Sequence, residues 1–128
     1  MDPIDSLTFE GACEPNPCGM MTWRYAITLA SGSPIQGSDI FPASPSNTLH
    51  VAEYCGLLAG LHAYIDSGQR GPLRIIGESQ MVIYQLKRIY PVLAPGLKGY
   101  YAKADALLAQ IHSLSIVWYP RTYTSWLS

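Results

Sequence analysis

The hydrophobic rhythm of the chain changes several times, and each change marks an element. Residues 7–12, from Leu7 through Phe9 to Ala12, read as a first strand. Residues 13–19 follow with prolines at 15 and 17, which forbid regular structure and make a turn. Residues 21–29 are rich in bulky and β-branched side chains and form a second strand. Residues 31–34 turn the chain again into a shorter third strand at 35–41. This close spacing predicts an antiparallel meander. Residues 42–46 break the pattern, and Asn47 or Thr48 is placed to cap a helix. Tyr54, Leu57, Leu58, Leu61 and Ile65 then share one helical stripe, which Gly68 terminates. Residues 73–77 are a continuous apolar run of the kind found in central strands. A short helix is predicted from Ser79 to about Lys87, and a proline-containing loop over 90–96. A third helix spans 97–112, and a last strand, 115–119, is ended by Pro120. The order is βββαβααβ. Strands reached through helices run parallel, so the expected fold is α/β, a mixed five-stranded sheet flanked by helices.

Composition narrows this picture without changing it. The 128 residues, 48% apolar and 13% charged, suit one folded domain spanning residues 1–128. No apolar run reaches membrane-spanning length, and Met1-Asp2-Pro3-Ile4-Asp5 lacks the basic flank and apolar core of a signal peptide. The expected location is the cytoplasm. An odd set of cysteines (Cys13, Cys18, Cys55) implies reduced thiols rather than a disulfide framework. The histidines do not fall at paired ligand spacing, so no structural zinc is expected. With a net charge of −1 and only Lys87 and Arg88 adjacent among the basic residues, a polynucleotide would be held weakly or with the help of metal ions.

The candidate chemistry lies in three acids. Glu10 sits in the first strand, Glu53 in the opening turns of the longest helix, and Glu78 just past the apolar strand at 73–77. Carboxylates gathered inside a fold repel one another unless a cation or a proton relieves them, so this placement points to a metal-dependent site.

Local sequence makes that placement specific. The segment from Phe9-Glu10-Gly11-Ala12 to Asn16-Pro17-Cys18-Gly19 is similar to the opening Asp-Gly-Ala and Asn-Pro-Gly of type 1 ribonuclease H. Thr48-Leu49-His50-Val51-Ala52-Glu53-Tyr54 resembles Thr-Asn-Asn-Val-Ala-Glu-Tyr of that family. Gly77-Glu78-Ser79-Gln80 with Leu86 resembles its Gly-Asp-Ser-Gln segment, and Trp118-Tyr119-Pro120-Arg121 resembles the start of its closing motif. The resemblance implies an endonuclease that hydrolyses the RNA strand of RNA–DNA hybrids with two magnesium or manganese ions; for this chain a monomer is expected, with two ions or a single one bound. Glu10 and Glu78 would hold or bridge metal, and Glu53 would bind one ion and sense the RNA sugar. Asn16 would contact the nucleic-acid backbone, with Cys13, His50 and Arg121 as further nucleic-acid-binding candidates.

The departures fall inside these motifs. The family carries Asp at the positions of Glu10 and Glu78, and the added methylene moves each carboxylate outward by roughly 1.3 Å. A misplacement near 1 Å can cost about 10²-fold in rate. Leu49 and His50 stand in place of the family's asparagine pair, and Ser128 falls where a fourth carboxylate is expected. The expected function is therefore a weakened hybrid-specific ribonuclease. Its rival is a catalytically silent domain that binds nucleic acid or a protein partner.

Overall fold

The computed structural model describes residues 4–120. It contains β1 (Asp5–Glu14), β2 (Met20–Thr28), β3 (Pro34–Phe41), α1 (Leu49–Asp66), β4 (Leu73–Gly77), α2 (Gln80–Leu86), α3 (Pro95–Leu108) and β5 (Leu114–Trp118). The element order is the expected one, and the strands lie in the sheet as β3-β2-β1-β4-β5. β1, β2 and β3 form the antiparallel meander, whereas β4 pairs in parallel with β1 and β5 in parallel with β4. The parallel pairs arise because a helical crossover returns the chain to the same end of the sheet.

Alternation along β1 sets the core. Leu7, Phe9 and Cys13 are buried, while Thr8 and Ala12 on the opposite face are exposed. Leu7 meets α1 at Gly60. The helix is buried on much of its circumference: Tyr54, Leu57, Leu61 and Tyr64 are fully enclosed, because α1 lies between the sheet and α3. β1 runs to Glu14, two residues beyond the expected end, and the turn is confined to Pro15–Gly19, closed by Gly19 N–H donating to the Pro15 carbonyl at 2.8 Å. α3 starts at Pro95 rather than Leu97. Proline at the first helical position has no missing hydrogen bond to regret and its φ suits the helix. Among the described residues no helix is long and apolar enough to cross a membrane.

Candidate active site

The site is built where α1 crosses β1 and β2 at close range. A Cβ on Gly11 would overlap the backbone of Ala52 and Glu53, and one on Gly56 would stand 2.9 and 3.1 Å from the carbonyl oxygens of Glu10 and Arg24. Only glycine permits that approach, and the approach delivers Glu53 to the strand carrying Glu10. The start of α1 is fixed by polar contacts. Thr48 is the N-cap, its hydroxyl oxygen accepting from Val51 N–H at 3.1 Å. Asn16 Oδ1 accepts from Leu49 N–H at 3.0 Å, so the β1–β2 turn supplies a second cap to the same helix. Buried Asn47 does not cap. Its amide donates to the carbonyls of Gly19 and Pro42 at 2.8 and 2.9 Å, pinning the turn to the segment before α1. Glu78 lies between β4 and Ser79, the N-cap of α2, and its carbonyl accepts from Trp118 Nε1 at 2.9 Å, which ties it to β5.

Glu10, Glu53 and Glu78 all line one cleft of about 620 Å³, together with Gly11, Trp23, Arg24, Asp39, Leu49 and Ser79. Carboxylate oxygens are the donors a hard divalent cation requires. Among the described residues, no three His, Cys, Asp or Glu side chains lie close enough together to hold a metal ion. The donor chemistry thus suits a divalent cation, and the three glutamates share a cleft without forming a three-residue ligand group among the described residues.

The physical reason lies in what the acids already touch. Glu10 and Arg24 are directly opposed across the β1–β2 ladder, so their side chains share a face, and the Arg24 guanidinium pairs with the Glu10 carboxylate. By strand alternation this is the face turned away from α1. Glu53 is buried on α1, and His50 Nδ1 donates to its Oε1 at 2.7 Å. That hydrogen bond lifts the His50 imidazole above its ordinary value of 6.5, with the charge of Glu53 adding to it and partial burial opposing.

The nucleic-acid candidates divide. His50 borders the cleft through its bond to Glu53. Asn16 sits at the turn next to it, with its side-chain oxygen already engaged by α1. Cys13 is a correction: strand alternation turns it into the core, and its Sγ lies 3.8 Å from the Gly19 carbonyl, inside the turn rather than in the cleft. Arg121 and Ser128 lie outside the described residues. Sequence reasoning missed Arg24 and Asp39. Arg24 is exposed by the hairpin register, and Asp39 stands opposite Trp23 on β3.

Comparison with known proteins agrees with this fold. The model of the reverse transcriptase-like family matches residues 22–125. The N-terminal ribonuclease H domain of Rv2228c from Mycobacterium tuberculosis superposes with a TM-score of 0.84 at 25% identity, covering 95% of this chain and 86% of that one. Ribonuclease H1 from the archaeon Halobacterium salinarum gives a TM-score of 0.82 at 28% identity, with 94% and 89% covered. LC11-RNase H1, solved in complex with an RNA/DNA hybrid, shares the fold with a TM-score of 0.81 at 23% identity, covering 93% of this chain and 87% of that one. In sequence, the bifunctional protein Rv2228c of M. tuberculosis is 34% identical over 74 residues, 58% of this chain and 20% of its own length. The chain thus matches only about a fifth of that relative. Matching across most of its length and folded as a type 1 ribonuclease H, the chain belongs to the reverse transcriptase-like family.

Proposed function

We propose that the cleft is the active site of an endonuclease that cuts the RNA strand of RNA–DNA hybrids, with reduced efficiency. The observation that carries this reading is that Glu10 on β1, Glu53 on α1 and Glu78 just past β4 line one cleft in a ribonuclease H fold. Nuclease chemistry on hybrids is what that fold supports in general. Such chemistry draws on a divalent ion, magnesium or manganese, and the longer glutamates favour manganese because magnesium demands stricter geometry. Of the chain's own residues, buried Glu53 has the fixed position needed to read a ribose 2′-hydroxyl, which separates RNA from DNA. His50 holds the Glu53 carboxylate in orientation. By resemblance, Asn16 and Arg121 would contact the nucleic-acid backbone, Arg121 lying outside the described residues. In this reading residues 1–128 form one domain that works as a monomer in the cytoplasm.

A second reading is favoured by the pairs Glu10–Arg24 and Glu53–His50. Acids already engaged by basic side chains describe a silent domain that binds nucleic acid or a protein without cutting. One assay separates the two. The purified chain is incubated with labelled hybrid in magnesium and then in manganese, beside a Glu53→Gln variant. The nuclease reading expects metal-dependent cutting that the variant loses by about 10²-fold or more. Hybrid bound but never cut establishes the silent domain instead.

A further inference from the structure

We propose that Arg24 is a tethered cation that occupies the Glu10 carboxylate and competes with a divalent ion for it. The proposal rests on the nuclease reading above and names a regulator of the same cleft. Arg24 faces Glu10 across the hairpin, both side chains line the cleft with Glu53 and Glu78, and the guanidinium closes directly onto the carboxylate. The backbone of Arg24 is fixed by the approach of Gly56 on α1, while its side chain is 69% exposed. The charge is therefore held beside the site by the fold, yet the guanidinium itself can swing into solvent. Arginine keeps its charge at every accessible pH, so this occupation is relieved by a stronger cation and not by a proton.

The test is direct titration of the whole chain with manganese chloride by calorimetry, alongside Arg24→Gln, Arg24→Lys and the double variant Arg24→Gln with Glu10→Gln. Circular dichroism confirms that each is folded. Exposed ion pairs are weak, so removing the competitor should tighten manganese binding by roughly three- to tenfold. Arg24→Lys keeps the positive charge and should stay within about twofold of the unaltered chain. The double variant should lose the gain, because the contested carboxylate is gone. Equal or weaker binding by Arg24→Gln overturns the proposal while leaving the nuclease reading intact. A gain that survives in the double variant places the ion elsewhere and also overturns it. Absence of manganese binding in every variant overturns both.

Discussion

The two halves of β1 treat a carboxylate in opposite ways. At its start, Asp5 is buried and answered by neutral donors: Tyr64 O–H donates to Oδ2 at 2.5 Å and Ala30 N–H to Oδ1 at 2.6 Å. Five residues later, Glu10 is answered by the long, exposed, permanently charged side chain of Arg24. The first arrangement is rigid and leaves no room for another ligand. Burial and the bond to Asp5 also push the Tyr64 phenol far above its usual range, so the donor keeps its proton. The second arrangement is exchangeable, since an exposed ion pair in high dielectric contributes little. One strand thus carries a structural acid and the acid proposed to act in the cleft, and the partner type distinguishes them.

Replacing the structural acid should have the largest effect. Asp5→Ala leaves the buried Tyr64 hydroxyl and the part-buried Ala30 amide without their acceptor and should destabilise the chain by about 3 kcal/mol, read by denaturant unfolding. Shortening the acids of the proposed site comes next. Glu10→Asp combined with Glu78→Asp should raise hybrid cutting by up to about 10²-fold in a gel assay, because each carboxylate is drawn back toward the strand end. No gain would show that side-chain length is not what limits the cleft. Glu10→Gln tests the other side of the contrast. It removes only an exposed pair and should shift unfolding stability by less than about 1 kcal/mol.

The smallest effect concerns His50. Its pKa is raised in the folded chain, so its contribution to stability is complete below the ordinary value of 6.5 and is lost as pH rises through the raised value. Metal-free stability should therefore fall slightly across that window, by less than about 1 kcal/mol because the imidazole is partly exposed. His50→Gln should abolish this slope in thermal melts taken at a series of pH values. A slope of equal size in the variant would assign the titration to another group.

The hairpin shows why part of the site escaped the sequence. Ending the first strand at Ala12 and starting the second at Met21 pairs those two residues and sets Glu10 opposite Trp23. The observed register pairs Ala12 with Thr22, and so Glu10 with Arg24. A slip of one residue exchanges the faces of a strand, so strand bounds known only to within a residue or two do not fix which side chain opposes Glu10. The signal was present in the length of the Pro15–Gly19 turn, but that turn is held by Asn47 and by the start of α1, which are distant in sequence. The extent of α1 was more legible, since its cap at Thr48 and its stop near Gly68 are local features. Its fully buried Tyr64 was not, because the acceptor for its hydroxyl is the distant Asp5.

What the sequence determined by itself was everything carried by short-range periodicity and capping: the order βββαβααβ, the parallel or antiparallel sense of each pairing, and the acids that border the cleft. Tertiary structure alone decided which cations answer those acids and how closely α1 approaches β1. Pattern along a chain records which face a residue belongs to. Distances between charges depend on register and on glycine-mediated contact between elements far apart in the chain, and these are settled only when the core closes.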